Sequence, residues 1–138
     1  MKKILIICTG NSCRSQMAEA ILQSFDKSLY VVSAGTKPEQ EVNPRAVKVI
    51  KELGLSLDGN VPKNVNDFVN EEFDYVITVC DSVRQICPVF TGKVKNKLHI
   101  GFEDPADAEG TEEEKLEFYR KIRDQIIERF SRFYQGII

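Results

Sequence analysis

Lys2-Lys3-Ile4-Leu5-Ile6-Ile7-Cys8-Thr9-Gly10-Asn11-Ser12-Cys13-Arg14-Ser15 opens the chain and decides how the rest is read. Four consecutive aliphatics ending on a cysteine predict a strand over Lys2 to Cys8, buried on both faces. From Arg14 to Phe25 the period changes. Met17, Ala18, Ile21, Leu22 and Phe25 recur at helical spacing and form one apolar stripe. Between strand and helix, Gly10 permits a tight turn and Asn11 tolerates a left-handed backbone. Such a turn aims successive N–H groups at one point, beside the positive end of a helix. That is a site for a tetrahedral oxyanion, built from Thr9, Gly10, Asn11, Ser12, Cys13, Arg14 and Ser15. Arg14 adds a planar fork able to grip two oxygens of the anion. Cys8 lies at the floor of this cradle. Its thiol is expected to ionise more easily than a free cysteine and to attack the central atom of the bound anion. Ser15 is placed to donate a hydrogen bond to the sulfur. An ordinary strand-to-helix turn with a buried cysteine is the plainer alternative.

Outward from this segment, strands and helices alternate. Leu29 to Ala34 predicts a second strand, ended by Gly35. Asn43 suits an N-cap and Pro44 the first turn of a helix, with Ala46, Val47, Ile50 and Leu53 on its buried side and Gly54 as its stop. A short helix is possible near Val65 to Asn70. Phe73 to Cys80 predicts a third buried strand and Leu98 to Phe102 a fourth. Thr111 and Glu114 match a capping box. Leu116, Tyr119, Ile122, Ile126, Phe130 and Phe133 then mark a long closing helix. The alternation predicts an α/β three-layer sandwich: a four-stranded parallel sheet with helices on both faces. Ligands of such sheets bind beyond the carboxyl ends of the strands. That rule selects the segments after Cys8, Cys80 and Phe102.

The 138 residues fit one domain spanning 1–138, with no repeat, low-complexity tract or linker. Lys and Arg number 19 against 21 Asp and Glu, a formal charge of −2. That balance argues against a nucleic-acid partner. No apolar run is long enough to cross a bilayer. The stretch after Lys2-Lys3 is too short for a secretory signal, and polar Thr9-Gly10-Asn11-Ser12 follows it. A cytoplasmic location is expected, with Cys8, Cys13, Cys80 and Cys87 as thiols at rest. Their spacing, with a single histidine at His99, does not suit zinc, and no metal or other cofactor is predicted.

The Cys-x5-Arg-Ser loop resembles that of the low-molecular-weight protein tyrosine phosphatase superfamily. The longer string from Cys8 through Gln16-Met17-Ala18-Glu19 is similar to its thioredoxin-coupled arsenate-reductase branch. Ser33-Ala34-Gly35, Val42-Asn43-Pro44, Val79-Cys80, Cys87-Pro88 and Asp104-Pro105-Ala106 fall in matching order over nearly the whole chain. The resemblance implies the low-molecular-weight phosphatase fold.

Cys80 and Cys87 admit two readings from their positions. They are buried core thiols, or they form a thiol relay, since Cys80 ends a strand on the same rim as Cys8. A relay requires residues 81–86 to move, because bridged cysteines need close Cα atoms. The resemblance implies the relay. Cys8 attacks arsenate, Cys80 attacks Cys8 and releases arsenite, Cys87 attacks Cys80, and thioredoxin reduces the last disulfide. No redox role is assigned to Cys13.

Asp104, before Pro105, either starts a turn or supplies a proton to the leaving oxygen. The resemblance implies the second. Phosphatases of the superfamily usually carry aromatic residues after this Asp-Pro, whereas Ala106 and Asp107 follow here. A small inorganic oxyanion therefore fits better than phosphotyrosine. Hydrolysis of phosphate monoesters through a phosphocysteine at Cys8 remains the alternative, and an inert anion-binding module a third reading. Some reductases of the branch bind potassium through side chains matching Asn11, Glu19 and Ser33 plus an aspartate. The aligned residue here is Asn64, which removes a charge from that set. The expected enzyme is a monomer with an arsenate or phosphate oxyanion and thioredoxin as its partners, and neither nucleic acid nor membrane.

Overall fold

The computed structural model describes residues 2–80 and 91–138. Strand β1 (Lys3–Cys8) occupies the middle of a four-stranded parallel sheet of order β2-β1-β3-β4. Its neighbours are β2 (Tyr30–Gly35) and β3 (Phe73–Thr78), and β4 (Val94–His99) lies at the edge. Ile4, Leu5, Ile6 and Ile7 are all fully buried although their side chains alternate between the two faces. Each such aliphatic contributes about 1.5–3 kcal/mol by leaving water. Both faces of β1 are therefore covered, which is why its sequence is a continuous apolar run rather than an alternation.

Helix α1 (Arg14–Phe25) follows β1 directly and buries Met17, Ala18, Ile21 and Leu22. Helix α2 (Pro44–Lys51) starts as expected, with Asn43 Oδ1 accepting from Arg45 N–H at 2.9 Å and Pro44 in the first turn. Its buried side is Ala46, Val49 and Ile50. Leu53 lies beyond the helix and is exposed, while Gly54 takes a positive φ of 78°. Helix α3 (Glu112–Ile137) carries the complete Thr111–Glu114 capping box and buries Leu116, Tyr119, Ile122, Ile126 and Phe130. The three helices touch one another. A 3-10 turn at Val65–Asp67, shorter than the helix predicted there, packs beside β2.

Strand ends depart from expectation in two places. β3 stops at Thr78, although Val79 N–H still donates to Ile7 O at 3.0 Å and Cys80 stays buried just beyond. β4 runs over Val94–His99 rather than Leu98 to Phe102. It is an edge strand whose Lys95, Asn96, Lys97 and Leu98 are exposed, so it shows no apolar signal. Charged side chains of this kind keep an open sheet edge from pairing with other chains. The apolar residues that suggested the strand, Ile100 and Phe102, belong to the segment leading away from it.

Candidate active site

The carboxyl ends of β1, β2 and β3 meet at one rim, with Cys8 opposite Gly35 and Ile7 opposite Thr78 in register. The loop after β1 passes so close to β2 that a Cβ on Gly35 would lie 2.4 Å from Thr9 O. Asn11 takes the left-handed backbone, φ 50°, that the turn requires. Its carboxamide pins the turn. Oδ1 accepts from Lys63 N–H at 2.9 Å and from Gln16 Nε2 at 3.1 Å. Nδ2 donates to Ser15 Oγ at 2.7 Å and to Ser33 Oγ at 2.9 Å. All four hydrogen-bonding positions of one fully buried side chain are thus in use.

Cys8 Sγ lies 2.8 Å from Ser15 Oγ and accepts from Asn11 N–H at 3.2 Å. Because Asn11 Nδ2 can only donate, the Ser15 oxygen accepts from it, and toward a Cys8 thiolate it is the Ser15 hydroxyl that donates. These bonds favour a thiolate, but burial outweighs them. It pushes the Cys8 thiol above its ordinary value, with nearby Cys80 a small addition in the same direction. The expectation of an easily ionised thiol is not met in this state. Its donors offset part of a desolvation cost rather than exceeding it. Cys13, at the other end of the same turn, is pushed up strongly by burial, then by Asp104 and Cys8, with Arg14 opposing.

A cavity of about 510 Å³ opens over the loop. Cys8, Thr9, Gly10, Ser12, Cys13 and Arg14 line its floor, and Asp104 and Ala106 one wall. Its volume is ample for a tetrahedral oxyanion. Arg14 Nη1 donates to Phe102 O at 2.9 Å, and Arg14 Nη2 lies 3.4 Å from Asp104 Oδ2. The guanidinium and the carboxyl therefore share the cavity. Asp104 also caps the following turn, its Oδ1 accepting from Ala106 N–H at 3.0 Å. Turn-starter and wall of the cavity are thus one residue. Thr9 Oγ1 lies 3.5 Å from Cys80 Sγ, which brings the second cysteine to the edge of the loop. Cys87 lies outside the described residues.

Asn11 and Ser15, grouped with the anion-binding residues by position, do not line the cavity; their side chains bond behind the loop. Lys37, Glu39 and Asn43 do line it; of these only Asn43 stands out in the sequence, and there as a helix cap rather than a site residue. They lie on the segment after β2, docked by Lys37 N–H to Thr9 O at 2.9 Å, Glu39 N–H to Gly10 O at 3.0 Å and Asn43 N–H to Ser12 O at 2.8 Å. No local motif marks that docking.

Asn11, Ser33 and Glu19 do come together, with Ser33 Oγ donating to Glu19 Oε1 at 3.0 Å. Asn64, the fourth residue aligned with that set, has its side-chain oxygen engaged elsewhere, Oδ1 accepting from Asn66 N–H at 2.9 Å. The Lys63 ammonium stands 3.9 Å from Glu19 Oε1.

Comparison with known proteins agrees with this geometry. Residues 3–137 match the family model described as low molecular weight phosphotyrosine protein phosphatase. An arsenate reductase of Bacillus licheniformis is 42% identical over 96% of this chain and 94% of its own length. A solved structure described as an arsenate reductase in the phosphate binding state superposes with a TM-score of 0.83 at 28% identity, covering 100% of both chains. The thioredoxin-dependent arsenate reductase of Corynebacterium glutamicum gives a TM-score of 0.71 at 27% identity, over 99% of this chain and 61% of that one. A loop that seats a cysteine beneath an arginine, with an Asp-Pro acid on the facing wall and relatives alike over almost their full length, places this chain in the low molecular weight phosphotyrosine protein phosphatase family.

Proposed function

We propose that the chain is an arsenate reductase that turns arsenate into arsenite through a Cys8–Cys80–Cys87 relay. The observation that carries this reading is the convergence of Cys8, Arg14 and Asp104 on one cavity, with Cys80 Sγ 3.5 Å from Oγ1 of Thr9, which also lines it. The names of the relatives, arsenate reductases at up to 42% identity, support the substrate. Arsenate sits among the loop amides and Arg14. Cys8 Sγ attacks arsenic, an As–S bond forms, and an arsenic oxygen leaves as water with the proton from Asp104. Cys80 then attacks Cys8 Sγ. The S–S bond forms as the As–S bond breaks, and its electron pair stays on arsenic, which leaves as arsenite. Two electrons reach arsenic and two thiols become one disulfide, so a single nucleophilic cysteine does not suffice. Cys87 exchanges with Cys80 and frees Cys8. A thioredoxin-type dithiol reduces Cys80–Cys87; the thioredoxin-dependent relative supports that partner. The reaction needs reduced thiols at rest, which suits a cytoplasmic location.

The family and the shared loop also favour a second reading, hydrolysis of phosphate monoesters through a phosphocysteine at Cys8. Cys80→Ser separates the two. Under the reductase reading arsenate turnover collapses by about 10³-fold or more while aryl-phosphate hydrolysis persists. If neither reaction changes, Cys80 is structural and the phosphatase reading replaces it. If the wild type acts on neither substrate, the loop is an anion-binding module.

A further inference from the structure

A continuous polar chain runs behind the loop, from Cys8 Sγ through Ser15 Oγ, Asn11 Nδ2 and Ser33 Oγ to Glu19 Oε1, with links of 2.8, 2.7, 2.9 and 3.0 Å. Chemistry sets its direction. Lys63 N–H can only donate, so Asn11 turns Oδ1 to it and Nδ2 to the two serines. Ser33, accepting from Asn11, gives its proton to Glu19. Ser15, also accepting from Asn11, has its own proton available for a Cys8 thiolate. The donations thus diverge from Asn11 Nδ2, and the arm through Ser33 ends on a carboxylate. That carboxylate is mostly withdrawn from water, its side chain 18% exposed, and a charge so placed needs a partner.

Lys63 Nζ stands 3.9 Å from Glu19 Oε1 and donates to Val61 O at 3.3 Å. A carboxylate oxygen and a backbone carbonyl are the kind of ligands a hard cation takes. Here an ammonium on the chain lies against both. The backbone of the same residue is tied at two points. Lys63 N–H donates to Asn11 Oδ1 at 2.9 Å, and Lys63 O accepts from Gly35 N–H at 2.8 Å. Asn60 Nδ2, a further polar neighbour of Glu19, is neutral and lies 3.4 Å from Oε2.

We infer that Lys63 is a tethered counterion for Glu19, so that this chain holds the polarity of its nucleophile loop without a diffusible potassium ion. Lys63 is a positioning residue: it touches neither substrate nor sulfur and acts through Glu19, Ser33 and Asn11. The inference deepens the proposed function but is read out on anion binding, which does not require turnover.

The test compares the wild type, Lys63→Met and Lys63→Arg in potassium chloride and choline chloride at equal ionic strength. Inorganic phosphate affinity is measured by calorimetry, melting temperature by scanning, and arsenate turnover separately. The wild type should be indifferent to the cation in affinity and melting. Lys63→Met in choline should bind phosphate and turn over arsenate about twofold to fivefold more weakly, as for loss of one partly exposed ion pair at a functional loop. Potassium should restore it, and Lys63→Arg should behave as wild type. A wild type that gains affinity or melting temperature from potassium overturns the inference. So does a Lys63→Met protein that equals wild type in choline, one that potassium does not rescue, or a Lys63→Arg protein as impaired as Lys63→Met. Absent arsenate turnover in every protein overturns the proposed function instead, and leaves the phosphate comparison standing as the test of Lys63.

Discussion

Cys8 and Cys13 bracket the same turn and are both buried, yet the structure treats them differently. Cys8 ends the central strand and is hydrogen-bonded with Ser15 Oγ and Asn11 N–H. Cys13 is the residue just before α1, and its thiol is held protonated by burial and by the nearby Asp104. Both thiols carry a desolvation cost, but of the two sulfurs only that of Cys8 is reached by hydrogen bonds among the described residues. The two sulfurs thus differ in the donors around them rather than in residue type or depth of burial.

Several substitutions break or sharpen that contrast. Cys8→Ser should lose arsenate reduction and aryl-phosphate hydrolysis alike by about 10⁴-fold or more, in line with removal of a covalent nucleophile. Steady-state assays on both substrates check this, and appreciable residual turnover would move the chemistry to another residue. Ser15→Ala removes the hydroxyl that offsets burial at Cys8. A hydrogen bond to a charged group is worth roughly 1.5–3 kcal/mol, so activity at neutral pH should fall about 10- to 10²-fold. Peptide-mapped alkylation should show Cys8 reacting only at higher pH than in the wild type; an unchanged profile would contradict the assigned direction of the Ser15 proton.

The pH dependence of stability probes both sulfurs together. Each thiol ionises less readily folded than unfolded, against an ordinary value of 9.0. Their stabilising effect is thus complete below pH 9.0 and is lost as pH rises through the folded values. Urea midpoints should drop from there upward, and Cys13→Ala should flatten the drop. The smallest effect is on catalysis by Cys13→Ala, which should keep activity within about twofold at a stability cost of about 1–2 kcal/mol. A large loss of turnover in a well-folded Cys13→Ala protein would erase the distinction between the two cysteines.

Legibility along the chain follows how far each signal is local. β1 and α1 were legible because a buried strand must be apolar throughout and an amphipathic helix must repeat its apolar face. Asn43-Pro44 and Thr111–Glu114 were legible because a cap is chemistry between residues a few positions apart, and both caps form. Val94–His99 was not, since an edge strand half open to water carries lysines where a pattern would look for valines. At the site, Cys8 and Arg14 could be placed from the turn alone, and Asp104 from its position after β4 together with family resemblance.

Other features needed distant parts of the chain to meet. Glu39 reaches the cavity only because its backbone docks on Gly10. Lys63 meets Glu19 only because the segment before the Val65–Asp67 turn is bonded to Gly35. The balance at Cys8 belongs here too: donors within seven residues favour the thiolate, but burial by the whole fold outweighs them. Chain order is enough to specify caps, periods and a tight turn, because these are contacts between near neighbours. Which charges face each other and how much water a sulfur loses are sums over residues far apart, and they acquire values once the layers have packed.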